Sequence, residues 1–199
     1  MMDFKWLNET TLQGNTVTLI PLSSTHQDEL IEAAKDGNLW GLWYTSVPSE
    51  SDIEDYISTA FQQFNNDTSL PFAVFHNETQ KVIGSTRFLN ANSKVKRVEI
   101  GYTWYAKSFQ RTAVNTECKY LLLQYAFEIL GCVAVEFRTH FHNQKSRRAI
   151  ANLGAKQDGI LRNHTIDKTG NLRDTVVFSI LNTEWNVVKT SLMYKLNSL

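Results

Sequence analysis

Residues 98–131 constrain the fold most, because their hydrophobic pattern changes from the period of a strand to the period of a helix. Large apolar residues first alternate with small or polar ones, namely Val98, Ile100, Tyr102 and Trp104 with Glu99, Gly101 and Thr103. Apolar residues then recur at three- and four-residue steps with polar residues between them, namely Cys118, Leu121, Leu122, Tyr125, Ala126 and Ile129 with Lys119, Gln124 and Glu128. The sequence therefore predicts a strand, a loop and a helix that ends at Gly131.

The loop between these two elements, residues 110–115, consists mostly of polar or small residues and leads into the predicted helix N-terminus. Such an end carries unpaired backbone N–H groups and a partial positive charge, which together favour a bound anion. The helix dipole alone stabilises an anion by roughly 0.3–2 kcal/mol. Many helix N-termini bind only water, so the segment suggests a phosphate site and leaves the water-bound alternative open.

The composition of this 199-residue chain favours one domain with a full hydrophobic core. Basic and acidic residues number 20 each, so we expect no nucleic-acid partner and no membrane partner. The apolar residues never form a run of about 18, the length that a membrane span needs, and the first ten residues lack the apolar core of a signal peptide. Cys118 and Cys132 lack metal-ligand spacing and are typical of buried thiols in a reducing compartment. We expect a cytoplasmic domain at residues 12–182, with residues 183–199 as its C-terminal helical extension.

The rest of the pattern predicts the order β-α-α-β-β-β-α-β-α-β-β, followed by a helix at residues 184–196. Strands at residues 71–76, 81–89 and 98–104 should form an antiparallel meander, since short turns join them. The strand at residues 133–140 follows a helical crossover, which makes it parallel to the strand at residues 98–104. The predicted fold class is α+β with a mixed, mostly antiparallel central sheet.

Four local motifs, in this order, resemble the GNAT superfamily of N-acetyltransferases, and in particular its ribosomal-protein N-terminal (alanine) acetyltransferase branch. They are the strand Glu99-Ile100-Gly101-Tyr102, the loop at residues 110–115 followed by Thr116-Glu117, the helix start Asn143-x-x-Ser146, and the ending Ala149-Ile150-x-x-Leu153-Gly154-Ala155. The resemblance implies the GNAT (acyl-CoA N-acyltransferase) fold, acetyl-CoA as cosubstrate and a primary amine as acceptor. It also implies that the two parallel strands splay apart and that the pantetheine arm lies in the gap.

The resemblance further implies which residues contact acetyl-CoA. The pantetheine arm would pair with the backbone of the central strand, at Ile100, Tyr102 and Trp104. The pyrophosphate would lie on the loop before the central helix, at Gln110, Arg111, Thr112, Ala113, Val114 and Asn115. Asn143 would hold a pantetheine amide, or serve only as a helix cap. Arg148, in a basic cluster with Lys145 and Arg147, would reach the 3′-phosphate, or belong to a solvated helix face.

The loop departs from the glycine-rich pattern of the family. Ala113 and Asn115 stand in place of glycines, and Arg111 stands where a further glycine is common. Alanine adds only one methyl group, asparagine tolerates left-handed backbone, and an arginine can form charge-assisted bonds to a phosphate. We therefore expect acetyl-CoA binding to survive, with Arg111 either at the phosphate or solvated.

Amine acetylation needs a neutral amine, but a lysine-type amine with a pKa of about 10.4 is almost wholly protonated at neutral pH, and a protein N-terminal amine with a pKa of about 7.7–8.0 is mostly so. A base, or desolvation, must therefore help to remove a proton. We expect Glu99 to be that base, directly or through water, with Gly101 leaving room for substrate on the same face. The alternatives are that Glu99 faces solvent or pairs with Arg87 across the sheet. A backbone N–H near Tyr102 or Thr103 would stabilise the oxyanion.

The acid that protonates the departing sulfur is a tyrosine in many members of the family, but that position holds Ile150 here. Ser146 matches the serine of the ribosomal branch and is our candidate for protonating or hydrogen-bonding the sulfur. A plain helix-capping serine is the alternative.

The acceptor pocket should lie under the aromatic loop near residue 43. Substrate-binding candidates are Trp43, Tyr44 and His164, with Trp40 and Asp174 as further candidates. The alternative is that the aromatic side chains of the loop only pack against the hydrophobic core. If these rings line the pocket, the acceptor has an apolar part or a cation stacked on a ring. The spacing of the histidines does not suit zinc, so we expect no metal.

These observations favour an acetyl-CoA-dependent N-acetyltransferase that acts on a protein N-terminus or a small amine by direct attack in a ternary complex. A catalytically silent acyl-CoA-binding module of the same fold is the alternative, motivated by the missing tyrosine and glycines. A protein-interaction domain without a cosubstrate is a third possibility. The chain would be a monomer or a homodimer.

Overall fold

The computed structural model describes residues 5–198, so residues 1–4 and 199 lie outside it. The prediction that the chain has no signal peptide falls partly on residues 1–4, outside the described residues. Eight strands form one sheet: β1 (Leu12–Gln13), β2 (Val17–Pro21), β3 (Leu70–His76), β4 (Lys81–Asn92), β5 (Arg97–Tyr105), β6 (Ala134–His140), β7 (Lys156–Ile166) and β8 (Leu172–Leu181). Five α-helices accompany it: α1 (Gln27–Lys35), α2 (Ile53–Asn65), α3 (Ala113–Gln124), α4 (Gln144–Asn152) and α5 (Trp185–Asn197).

The strands follow the order β1-β2-β3-β4-β5-β6-β8-β7 across the sheet. Every neighbouring pair is antiparallel except β5 and β6, which the α3 crossover makes parallel. The predicted α+β class with a mixed, mostly antiparallel sheet is confirmed, as are the meander and the parallel pair. The sequence pattern missed β1, because two residues are too short for any period to show.

Each face of the sheet is covered by its own helices. One hydrophobic cluster joins Val98 and Ile100 of β5 to α3 and α5. A second cluster joins Trp104 of β5 to α1 and α2. We call these two sides the α3 face and the α1/α2 face. No helix within residues 5–198 is both long enough and apolar enough to span a bilayer.

The α3 helix corrects one detail of the sequence pattern. The sequence pattern groups Lys119 with the polar residues between the apolar positions, yet Lys119 is only 6% exposed. Glu117 is equally buried and accepts hydrogen bonds from the backbone N–H groups of Asn15, Thr16 and Val17 at 2.7–2.9 Å. Both charged residues therefore lie on the buried side of α3. Glu117 binds the backbone at the start of β2, and Lys119 binds a hydroxyl group on β5.

The helix ends at Gly131 as predicted, but its last turn is π-helical. The helix continues into a π-helical turn at Tyr125–Ile129 and gives way to Gly131, whose φ of 65° suits a residue without a Cβ atom. Cys118 and Cys132 are free and buried, as predicted. Burial raises the pKa of each thiol to about 12, which makes both inert near neutral pH.

Candidate active site

The parallel strands β5 and β6 separate along their length. They pair only at their starts, where Arg97 lies opposite Ala134 and Glu99 opposite Glu136. Both strands continue well beyond these positions, to Tyr105 and His140. Their C-terminal halves therefore leave unpaired backbone edges facing a gap, as the resemblance implies.

A bulge in β5 lies at the point where the gap begins. Ser85 pairs with Trp104 and Arg87 pairs with Gly101, so three steps along β5 oppose two steps along β4. Tyr102 absorbs the extra residue with a φ of 49°, an uncommon conformation for a side chain of this size. A non-glycine residue held in this conformation is often part of a functional site.

The bulge also corrects the strict alternation read from the sequence. Val98 and Ile100 belong to the cluster on the α3 face, but Trp104 belongs to the cluster on the α1/α2 face. Tyr102 likewise contacts the ring of Tyr56 in α2. One inserted residue therefore moves Tyr102 and Trp104 to the face that Glu99 and Gly101 share.

The loop before α3 leaves donors of the helix N-terminus free. Thr112 caps the helix by accepting a hydrogen bond from the N–H of Val114 at 3.3 Å, and its hydroxyl donates to the carbonyl of Phe109. Gln110 is occupied by a bond to the carbonyl of Tyr105. The N–H groups of Ala113 and Asn115 belong to the first turn, where a helix offers no intrahelical acceptor. This end can therefore hold an anion.

The conformation of this loop shows which missing glycine matters. Arg111 has a φ of 65°, in the left-handed region, whereas Ala113 and Asn115 lie inside α3. The position of Arg111 is thus the one where glycine would relieve backbone strain, and Asn115 does not use its tolerance for left-handed backbone. Arg111 is exposed and adjoins the free helix end.

Glu99 lies on the α1/α2 face and is 6% exposed. Its carboxylate accepts a hydrogen bond from Asn90 Nδ2 at 2.8 Å and lies 3.5 Å from Arg138 Nε. No ion pair joins Glu99 to Arg87 among the described residues, so neither alternative for Glu99, solvent exposure or pairing with Arg87, describes the structure. Burial raises the pKa of Glu99, partly offset by Asn90 and Arg138. A carboxylate with a raised pKa suits proton abstraction better than a solvated one.

The start of α4 supplies the other predicted groups. Asn143 is the N-cap, and its Oδ1 accepts a hydrogen bond from the N–H of Ser146 at 3.1 Å, which leaves its Nδ2 donors free. The Ser146 hydroxyl makes no hydrogen bond within the described part of the chain and is half-buried. Arg148 is exposed, while Ile150 is buried in the core.

A cavity of about 360 Å³ opens beyond the C-terminal end of β6, between that strand and the β7–β8 hairpin. Its wall is mostly polar and consists of Trp43, His140, Phe141, His142, Arg162, Asn163, Asp167, Asn171, Leu172, Arg173 and Asp174. Its size suits a small molecule. Among residues 5–198, no three His, Cys, Asp or Glu residues lie close enough together to share a metal ion.

The cavity brings together part of the predicted substrate set. Trp43 lines it, with its ring 4.8 Å from the His140 ring, and Asp174 lines it too. Tyr44 stacks edge-on against Trp43 from outside the wall. His164 is exposed, contacts Thr175 Oγ1 at 3.2 Å and is not part of the cavity wall.

Sequence reasoning assigned no site role to four residues near these features. His140 and Arg173 line the cavity. Arg87 is 1% exposed, and its guanidinium packs over the rings of Tyr56 and Tyr102 at 4.6 and 4.1 Å. Lys119 donates to Thr103 Oγ1, next to the bulge, at 2.7 Å. For Arg87, the available signal was a charged residue in the interior of a predicted strand; for Lys119 the sequence pattern offers no such signal.

A parallel strand pair that opens beside a free helix N-terminus can hold a phosphate-bearing ligand. Residues 16–156 match the model of the acetyltransferase (GNAT) domain family. The chain is also 30% identical over 132 residues to a protein named uncharacterized N-acetyltransferase p20 from Bacillus licheniformis, over 62% of this chain and 71% of that protein. The chain belongs to the GNAT family and is an acetyltransferase.

Solved structures agree with this assignment. A GCN5-related N-acetyltransferase from Brucella melitensis superposes with a TM-score of 0.85 at 28% identity, over 98% of this chain and 90% of that one. Mycobacterium smegmatis RimJ, solved in complex with CoA-disulfide, superposes with a TM-score of 0.76 over 90% of this chain and 88% of that one. At 17% identity, the second likeness concerns the fold alone.

Proposed function

We propose that this protein transfers the acetyl group of acetyl-CoA to a primary amine, either a protein N-terminus or a small amine, by direct attack in a ternary complex. The observation that carries the proposal is the gap between β5 and β6, which opens beside the unpaired N–H groups at the start of α3. RimJ shares this fold and binds a CoA derivative.

Acetyl-CoA fits this chain in three respects. The backbone edge of β5 beyond Glu99 lacks a partner on β6, so it is available to the amides of a pantetheine arm. The first turn of α3, with Arg111 beside it, offers donors and positive charge to a pyrophosphate. Asn143 retains its Nδ2 donors, and Arg148 is exposed on the same helix for the 3′-phosphate.

Each step of amine acetylation then has a candidate group. Glu99, with its raised pKa, accepts the proton of the attacking amine, directly or through water. Backbone N–H groups at the Tyr102 bulge stabilise the negative charge that develops on the acetyl oxygen. Ser146, whose hydroxyl has no partner in the described chain, donates a hydrogen bond to the departing sulfur.

The two buried free cysteines are consistent with a reducing compartment, so we place the protein in the cytoplasm. A silent acyl-CoA-binding module is the second candidate function. It is favoured by Ile150, which occupies the position of the family's usual acid and is buried in the core, where it offers no hydroxyl.

A thermal-shift measurement with acetyl-CoA, coenzyme A and buffer, followed by thiol release against a panel of amines, tests the proposal. A ligand present at about 100 times its Kd adds about 2.7 kcal/mol to the free energy of unfolding. A shift together with thiol release on one class of amine supports the enzyme. A shift without thiol release on any amine supports the silent module, and no shift contradicts both.

A further inference from the structure

The cavity beyond β6 adjoins the proposed reaction site, so its chemistry bears on the acceptor. Arg138 contacts Glu99, and His140, two residues further along β6, lines the cavity. Residues two apart on a strand point to the same face. The cavity and the candidate base therefore lie on one side of the sheet, and an acceptor bound in the cavity approaches β5 from the α1/α2 face.

The acidic side chains of this wall accept hydrogen bonds from the β7–β8 hairpin itself. Asp174 forms an ion pair with Arg162 at 2.6 Å and accepts the N–H of Asn163 at 2.8 Å. Asp167 Oδ1 accepts hydrogen bonds from Thr169 and Asn171 within the hairpin turn. These two carboxylates thus cap the hairpin that forms the wall.

Arg173, in contrast, has no carboxylate within ion-pair distance in the described part of the chain. Its Nη2 donates to Thr175 Oγ1 at 3.3 Å, and its Nε is buried without any hydrogen-bond partner. Burial lowers the pKa of Arg173, opposed by Asp167 and Tyr102. A guanidinium remains charged in proteins, and this half-buried one is partly desolvated without an ion pair, at a cost in free energy. An anion supplied by a ligand would remove that cost.

His140 adds a second unused donor to the same wall. It is 3% exposed, and its Nδ1 accepts the N–H of His142 at 3.1 Å. The neutral ring therefore carries its proton on Nε2, which is buried, has no hydrogen-bond partner and lies 3.9 Å from Asp167 Oδ2. Arg173 Nε and His140 Nε2 thus both lack a hydrogen-bond partner in the described chain, and both residues line the cavity.

Building on the proposed function, we propose that the acceptor is a free amino acid or a similar small amine whose carboxylate binds Arg173 and His140 Nε2–H. The carboxylate supplies the acceptor oxygens that both donors lack, and a guanidinium matches it in shape. The amine then projects toward β5, while Trp43, Phe141 and Leu172 leave an apolar wall for the remaining part of the molecule. A protein N-terminus, whose first carbonyl is an amide, lacks this charge.

Matched pairs of phenylalanine, leucine and glutamate with their α-carboxamides test this inference. Binding is measured by calorimetry to the full chain saturated with coenzyme A, so the result does not depend on turnover. We expect at least one amino acid to bind roughly ten- to a hundredfold more tightly than its carboxamide, the range for a hydrogen bond to a charged group. Arg173→Gln should abolish that preference.

Lys156→Gln is the matched control, because it removes a positive charge from the same hairpin at an exposed ion pair with Glu184. It should keep the preference for the carboxylate. Carboxamides that bind as well as the amino acids, or a preference that survives in Arg173→Gln, would overturn the inference. Thiol release from acetyl-CoA, measured in separate samples with the same amino acids, tests the proposed function on its own: selective binding without release leaves the anion site supported and contradicts the transfer activity.

Discussion

Replacing Lys119 with methionine should raise the free energy of unfolding near neutral pH. The ammonium group is buried on the side of α3 that faces β5, and it donates a hydrogen bond to Thr103 Oγ1 at 2.7 Å, its partner in the described chain. Burial lowers the pKa of Lys119 to about 8, from an ordinary value of 10.5. At about 1.4 kcal/mol per pKa unit, the charged form costs about 3 kcal/mol in the folded state. The methionine variant avoids this cost, but it also loses the hydrogen bond to Thr103, which lowers its free energy of unfolding by about 1 kcal/mol.

The pH dependence provides the sharper test. Between pH 8 and 10.5 the unfolded chain holds a proton that folded Lys119 has released, so the stability of the natural chain rises with pH in this window and is flat below it. The methionine variant lacks this group. The advantage of the variant should therefore be about 2 kcal/mol at pH 7 and shrink toward zero or reverse near pH 10.

Urea unfolding followed by tryptophan fluorescence at pH 7, 8.5 and 10 measures both chains. Lys189→Met is the control, because Lys189 is a surface residue paired with Glu128 at 2.7 Å, and Glu128 raises its pKa. That control should show no gain at pH 7. A Lys119→Met variant less stable than the natural chain at pH 7, or a difference equal at pH 7 and pH 10, would refute the reasoning that Lys119 is a desolvated charge.

Three further substitutions test the site and its support. Glu99→Gln should lower kcat by roughly a hundredfold or more. It should also remove the acidic limb of the pH profile, which lies at a higher pH than for an ordinary glutamate because burial raises the pKa of Glu99. Ala113→Glu should weaken coenzyme A binding at least about tenfold, measured by calorimetry, because it sets a carboxylate beside the phosphates. Glu117→Ala should cost at least about 3 kcal/mol in urea unfolding, since three backbone N–H groups lose their acceptor.

Each of these has a contrasting result. A Glu99→Gln variant whose loss is the same at every pH would remove Glu99 as the base. Ala113→Gln has nearly the same size without the charge, so equal losses in both variants would attribute the effect to bulk. Unchanged stability in Glu117→Ala would mean that water replaces the carboxylate at the start of β2.

The order of elements was predictable because it depends on local information. The period change within residues 98–131 marked β5 and α3, and the helical crossover required β6 to run parallel to β5. The free helix end before α3 was predictable for the same reason. The residue that carries backbone strain in this loop was not predictable. Three residues depart from the glycine pattern, and only the backbone shows that Arg111, with a φ of 65°, occupies the left-handed conformation.

The sequence by itself therefore determined the fold class, the family and the free helix end before α3, since periodicity, turns and helix ends are properties of neighbouring residues. Only the tertiary structure decided which charges are buried and unpaired. The bulge at Tyr102 places the residues after it on the opposite face of the sheet from the one that strict alternation predicts. Lys119 points inward and binds Thr103, and Arg173 and His140 line the same cavity. Strand register and the closure of distant segments set these environments, and no local pattern records them.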